Sequence, residues 1–293
     1  MIEKFEFIDG EKDNYPLVLM CEWISVSRSG YYIWRRRPDS ATACRRADLK
    51  ALIQKVFDES HGTYGYRRIH AEINRRRVPC GPELARALVR ELGLVACQPR
   101  PWRRTTIPDP GASTTPDRIL RDFTSDALGA KLVGDITYIR TWSGWLYLAT
   151  VIDCHTKMIV GYAMAEHMET SLIREAIDMA ARNITLPENA VFHSDRGSQY
   201  TSSEYRTRLR ELGIHPSLGR TGICYDNAMA ESFNAALKNE LVYRTAFPTQ
   251  KHARTAIARY IELFYNRKRL HSGLGYRTPT EVRDAFLNRQ VAA

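Results

Sequence analysis

The sequence contains no stretch apolar enough to cross a membrane and no leader-like start. Its longest nearly apolar runs, residues 17–21 and 145–152, are far shorter than the roughly 20 residues that span a bilayer. The first residues, MIEKFEFIDGEKD, are acidic and contain no apolar core, which argues against a secretory signal peptide. These absences predict a chain that stays in the cytosol.

Cysteine is scarce and unclustered. None of the six cysteines belongs to a Cys-x-x-Cys pair, and no closely spaced histidine pair accompanies them; they are Cys21, Cys44, Cys80, Cys97, Cys154 and Cys224. Structural zinc sites need such spacings, so we do not expect a zinc module. We expect reduced thiols that act as small apolar residues.

Positively charged residues are in moderate excess over negatively charged ones. The 293 residues include 43 Lys and Arg against 33 Asp and Glu, a net charge of +10, and each side of residue 130 contributes +5. A basic balance favours a polyanionic partner, because Lys and Arg displace the counterions condensed on phosphates. The hydrophobic content of 44% excludes disorder throughout, and the length allows two domains.

A proline-rich segment separates two regions of different periodicity. Five of the 13 prolines fall within residues 99–116, so we predict a linker at 99–117. Before it, short helical patterns include residues 66–74 and 83–92, joined by a turn and rich in arginine. This spacing suits helix-turn-helix DNA binding through residues such as Arg67 and Arg68. The alternative is a small helical bundle whose arginines are solvated.

After the linker the pattern alternates strands and helices. Strands are predicted at residues 132–140, 145–153, 157–164, 190–193 and 214–218, and helices follow the third, fourth and fifth strands. This order predicts an α/β fold with a mixed five-stranded sheet flanked by helices.

Three acidic residues stand where a carboxylate needs an explanation. Asp135 lies within an apolar strand, Asp195 directly follows another, and Glu231 lies on the helix begun by residues 226–227. If they converge, their oxygens favour Mg²⁺ or Mn²⁺ over Zn²⁺, and two such ions can cleave a phosphodiester. The alternative is that each acid is separately a cap, an ion-pair partner or a surface charge.

The helix around Glu231 has two faces. Core-facing positions recur at i, i+3, i+7 and i+11, namely Ala230, Phe233, Leu237 and Leu241. A neighbouring polar stripe has the same spacing and contains Asn227, Glu231, Asn234 and Lys238. Lys238 can therefore reach a phosphate along the surface that carries Glu231.

The motifs around these acids resemble those of OrfB-type transposases of bacterial insertion sequences, within the retroviral integrase superfamily. Residues 134–139 (GDITYI), 193–200 (HSDRGSQY) and 226–233 (DNAMAESF) resemble the first-aspartate, second-aspartate and glutamate motifs, and 35 residues separate Asp195 from Glu231. Residues 265–276 resemble the C-terminal signature of this group, and residues 27–32 and 65–69 its N-terminal helical region.

The resemblance implies an RNase H-like catalytic core at 118–250, with a helical DNA-binding region at 1–98 and a C-terminal helical extension at 251–293. It implies that Asp135, Asp195 and Glu231 hold two Mg²⁺ ions, which Mn²⁺ can replace, for DNA cleavage at the element ends and strand transfer. DNA contacts are expected from Lys238, Asn227, Asn234 and Arg196, in addition to Arg67 and Arg68.

The implied partners are double-stranded DNA, both terminal repeats and target, further copies of the chain, and the product of a preceding reading frame (OrfA). The implied location is the bacterial cytoplasm, at the nucleoid, without a membrane. The alternative function is a non-catalytic DNA-binding regulator carried by the element. A third, a nuclease for RNA–DNA hybrids, is disfavoured by the helical arm.

Overall fold

The computed structural model describes residues 1–38, 40–97, 115–219 and 224–291. Nearly all of the predicted linker lies outside these residues. The helices are α1 Ile2–Glu11, α2 Leu17–Trp23, α3 Arg28–Arg36, α4 Ala41–Glu59, α5 Tyr66–Arg75, α6 Pro82–Glu91, α7 Thr170–Asn183, α8 Ser198–Thr201, α9 Ser203–Glu211, α10 Ala228–Glu240, α11 Gln250–Arg259 and α12 Pro279–Val291. The strands are β1 Lys131–Thr141, β2 Gly144–Asp153, β3 Ile159–Ala165, β4 Val191–Ser194 and β5 His215–Leu218.

The strands form one mixed sheet in the order β3-β2-β1-β4-β5. The first three make an antiparallel meander, whereas β4 runs parallel to β1 and β5 parallel to β4. The predicted mixed five-stranded sheet is thus confirmed. β4 pairs with β1 only from Lys131 to Val133, so the rest of that edge of β1 has no strand neighbour among the described residues. Helix α10 packs against β1 beside this edge.

Side chains alternate between the two faces of the sheet, and each face has its own apolar cluster. Leu132, Val151 and Phe192 pack with α7 and α9 on one face. At Gly161 of β3 a Cβ atom would lie 2.1 Å from a backbone oxygen of α7, so only glycine allows α7 this close. On the other face, Val133 and Leu148 pack with α10 and α11.

The N-terminal helices divide between two clusters. Helices α1–α3 enclose a small core that includes Phe5, Ile8 and Tyr31. Ser27 caps α3, since its Oγ accepts a hydrogen bond from Gly30 N at 2.9 Å. Helices α4–α6, in contrast, share one continuous apolar cluster with α10, α11 and the sheet. Helix α1 was not predicted from the sequence.

The C-terminal segment with the signature-like residues joins these parts. The Asn266 amide bonds both the N–H and the carbonyl of Ile159, at 3.0 Å each, and so extends the hydrogen bonding at the start of β3. The Tyr64 hydroxyl, near the start of α5, donates to Lys268 O and accepts from Leu270 N, at 2.9 Å each. The segment therefore fixes the α4–α6 region against the sheet.

No helix in the described part of the chain is long and apolar enough to span a membrane.

Candidate active site

The three predicted acids come from three separate elements. Asp135 lies in the middle of β1, Asp195 follows the last residue of β4, and Glu231 lies in the first turn of α10. The free edge of β1 lets α10 pack beside Asp135 without an intervening strand.

The acids are close enough for their charges to act on one another. The surrounding protein, which limits hydration, and the charges of Asp195 and Glu231 together raise the pKa of Asp135 to about 8. Restricted hydration also raises the pKa values of Asp195 and Glu231, and the charge of Asp195 adds to the effect at Glu231. The three acids are therefore electrostatically coupled, with the charge of Asp195 acting on both Asp135 and Glu231.

Amide groups fix the positions of two of the acids. Gly197 N donates to Asp195 Oδ1 at 3.0 Å, and Asn234 Nδ2 donates to Asp135 Oδ2 at 2.7 Å. Asn227 Nδ2 donates to Gly134 O at 3.3 Å. Both asparagines are buried, so this part of the predicted polar stripe faces inward and holds β1. The core-facing stripe is confirmed at Ala230, Phe233 and Leu237.

Two buried oxygens beside the acids lack hydrogen bonds. The side-chain oxygens of Asn227 and Asn234 have no partner among the described residues. An unpaired buried acceptor is costly, and it is commonly satisfied by a ligand, an ion or a water held by an ion. The two acceptors belong to residues that contact the strand of Asp135.

A buried histidine connects the strand that precedes Asp195 to the start of α10. His193 is fully buried; its Nε2–H donates to Asp226 O at 2.7 Å, and its Nδ1 accepts from Ser217 Oγ at 2.8 Å. Arg118 N donates to the same Ser217 Oγ, and Arg121 forms an ion pair with Asp226. This network was not predicted from the sequence. The available signal was an inward histidine and an inward serine on two neighbouring strands, which are paired in register.

The basic residues predicted near the acids have two different positions. Lys238 lies close enough to Asp135 for the two charges to interact, and its Nζ is 5.0 Å from the centroid of the Tyr138 ring. Restricted hydration lowers its pKa, while the charge of Asp135 opposes that change. Arg196 Nε donates to Gly219 O at 2.7 Å, so this guanidinium stabilises the backbone next to the site.

The two arginines predicted to contact DNA in the helical region also differ. Arg67 is exposed and stacks against the Tyr66 ring at 5.4 Å, beside Arg86 at 5.9 Å. Arg68 is half-buried and its Nε donates to Leu270 O at 3.0 Å. Arg67 therefore presents its charge outward, whereas Arg68 joins the contact with the C-terminal segment.

Within the described ranges, no three His, Cys, Asp or Glu side chains are already arranged as a metal-ligating group. The acids are thus neighbours without forming a closed set of ligands.

Comparison with known proteins places this geometry in a family. Residues 126–224 and 212–279 match profiles of the integrase core domain, and residues 44–102 match an HTH-like domain. The chain is 33% identical over 291 residues to "Transposase InsF for insertion sequence IS3A" of Escherichia coli K12, covering 99% of this chain and 100% of that one. The chain belongs to the insertion-sequence transposases.

A second relative, from another insertion element, is similar over nearly the same length. The "Insertion element IS600 uncharacterized 31 kDa protein" of Shigella sonnei is 38% identical over 274 residues, which is 94% of this chain and all of that one. Among solved structures, the HTLV-2 integrase catalytic core domain in complex with magnesium is 16% identical, with a TM-score of 0.41, and the match covers 54% of this chain and 97% of that one. The profile matches and the sheet order confirm the predicted RNase H-like fold with a helix-turn-helix-like region.

Proposed function

We propose that this transposase cuts DNA at the ends of its element and joins the freed ends to target DNA, using Asp135, Asp195 and Glu231 to hold two divalent cations. The observation that carries the proposal is the placement of three carboxylates on β1, directly after β4 and in the first turn of α10, with α10 joined to Asp135 by the Asn234 hydrogen bond of 2.7 Å. A non-catalytic regulator needs no such cluster, and relatives named as transposases do not favour it.

The residues present fit divalent cations. The donor set is composed of carboxylate oxygens without histidine or cysteine, which suits Mg²⁺ or Mn²⁺. The unpaired Asn234 oxygen beside Asp135 adds a further acceptor for an ion-bound water. When bound, two such ions stabilise the attacking and the leaving oxygens of a phosphodiester.

The chain's own groups would orient the DNA. Asn234 holds the Asp135 carboxylate, and His193 holds the start of α10 so that Glu231 faces the same site. Lys238 has an ammonium group beside Asp135 and can contact a phosphate next to the reacting one. Arg67 and Arg86 on the exposed side of α5 and α6 suit contacts with the backbone of duplex DNA. Water first attacks at the element end and frees a 3′-hydroxyl, which then attacks another phosphodiester and joins the strands.

Two measurements test the proposal. Nicking and strand transfer on duplexes that carry the element's terminal repeats should require Mg²⁺ or Mn²⁺. Without DNA, the unfolding temperature should rise as either ion is added, because ion binding stabilises the folded chain. Replacing the acids one at a time with the corresponding amides should reduce the shift, whereas Glu204→Gln, on the exposed side of α9, should leave it unchanged. Full cleavage in EDTA would contradict the proposal.

A further inference from the structure

Two large aromatic rings lie exposed on the sheet beside the acidic cluster. Tyr138 of β1 and Trp145 of β2 are 55% and 47% exposed. Their ring centroids are 5.3 Å apart and their planes meet at 87°. They share one sheet face, because Tyr138 pairs with Tyr147 and Trp145 pairs with Arg140 across the two strands. The perpendicular rings form an open corner toward solvent.

Positive charge surrounds this corner. Lys238 Nζ lies over the Tyr138 ring at 5.0 Å. Arg140, directly opposite Trp145 in the strand pair, has an exposed side chain. Asp135 is three residues before Tyr138 on β1, about 10 Å along the strand, so the two side chains leave opposite faces of the sheet. Lys238 of α10 lies over the Tyr138 ring and its charge interacts with that of Asp135, so it connects the aromatic corner to the candidate active site.

From this arrangement we propose that Tyr138 and Trp145 bind an unpaired DNA base next to the phosphodiester that is cut, while Lys238 and Arg140 contact the flanking phosphates. An exposed aromatic face stacks on any base, and cations beside it bind the backbone, which is the usual combination in single-strand binding. Duplex DNA has its bases stacked internally, so it cannot use the corner until a base leaves the stack. The inference rests on the proposed function, since it adds a subsite to the same active site.

The test compares two DNA probes with the full chain. One probe is a blunt duplex, and the other is the same duplex with a short single-stranded extension that carries 2-aminopurine at the junction. Affinity is measured in EDTA to prevent cleavage. We expect roughly tenfold tighter binding of the extended probe, with quenching of 2-aminopurine fluorescence by stacking. Tyr138→Ala and Trp145→Ala should remove the preference and the quenching while affinity for the blunt probe is kept.

Matched variants separate stacking from misfolding. Trp145→Phe keeps an aromatic face and should keep most of the preference. Trp142→Ala removes another exposed tryptophan of the same hairpin, 78% exposed, and should behave as the wild type. Equal affinity of the wild type for both probes, or an unchanged preference in Trp145→Ala, would overturn the inference. So would a change in oligomeric mass in Trp145→Ala, which would make the corner an interface between copies.

Cleavage is measured separately with Mg²⁺ on the same probes extended by the element's terminal repeat. A chain that binds but never cleaves contradicts the proposed function. A chain that cleaves but does not distinguish the probes contradicts only the aromatic subsite.

Discussion

Each end of helix α10 carries a glutamate, and the two glutamates have opposite charge environments. Glu240, at its last residue, accepts hydrogen bonds from Arg269 at 2.7–3.0 Å and from the Tyr260 hydroxyl at 2.7 Å. Glu231, in its first turn, has no basic partner among the described residues, and its pKa is raised by restricted hydration and by Asp195. At the Glu240 end of α10, which we call the compensated end, the fold itself neutralises the charge of the glutamate. At the Glu231 end, which we call the uncompensated end, the negative charge has no such partner, as a cation site requires.

The largest expected effect is loss of activity at the uncompensated end. Glu231→Gln keeps the size of the side chain but removes a charge that the chain itself does not neutralise. We expect strand cleavage and transfer to fall by roughly a thousandfold or more. The assay is nicking of terminal-repeat duplexes at saturating Mg²⁺.

The same variant separates function from stability. Because Glu231 only repels its acidic neighbours in the metal-free chain, Glu231→Gln should unfold at the same temperature as the wild type or higher. A variant that is inactive because it has unfolded would remove the contrast between the two ends.

At the compensated end, in contrast, we expect a loss of stability. Arg269 and Glu240 have side chains only 10% and 5% exposed, so Glu240→Gln leaves a buried guanidinium without its counter-charge. We expect a loss of about 3–5 kcal/mol in the free energy of unfolding, measured by urea titration. Glu204→Gln, in an ion pair with Arg174 whose side chains are 53% and 51% exposed, is the control and should change it by under about 1 kcal/mol. A similar loss in both variants would contradict the comparison.

The end of α10 that carries Glu231 was easier to predict from the sequence than the end that carries Glu240. Periodicity located the strands, and the spacing of Asp195 and Glu231 indicated the acids, because both patterns are local along the chain. Glu240 meets Arg269, and Tyr64 meets Leu270, across long separations that no local pattern encodes. The burial of Asn227 and Asn234 was missed for the same reason: helix periodicity does not reveal that the free edge of β1 brings α10 so close.

A smaller effect is expected at His193, which holds the uncompensated end of α10 through its hydrogen bond to the preceding backbone. His193→Leu removes the hydrogen bond to Asp226 O, and we expect about 1–3 kcal/mol of lost stability. It should also lower kcat by roughly tenfold to a hundredfold with little change in KM, as expected for a group that orients a ligand residue. His193→Gln can restore a donor to Asp226 O and should recover part of kcat. Equal kcat in the two variants would assign His193 a packing role alone.

Near neutral pH the smallest effect comes from a titration at the compensated end. Burial and the positive charge of Arg269 lower the pKa of His271 to about 3, against an ordinary value of 6.5. Between pH 6.5 and about 3 only the unfolded chain takes up this proton, so the free energy of unfolding falls as the pH falls through that range. The slope from this group is at most about 1.4 kcal/mol per pH unit.

His271→Asn isolates that slope from the titration of the carboxylates. The wild type minus the variant should show stability lost on acidification below pH 6.5, measured by urea unfolding at several pH values. His167→Gln, at an exposed histidine, should leave the pH dependence as it is in the wild type. Because Arg269 contributes to the shift, replacing it by Met together with Glu240→Gln should raise the pKa of His271, so that the loss of stability ends at a higher pH than in the wild type. An unchanged lower limit in that double variant would mean that burial alone keeps His271 neutral, and that the charge at this end of α10 is compensated by Glu240 without reaching His271.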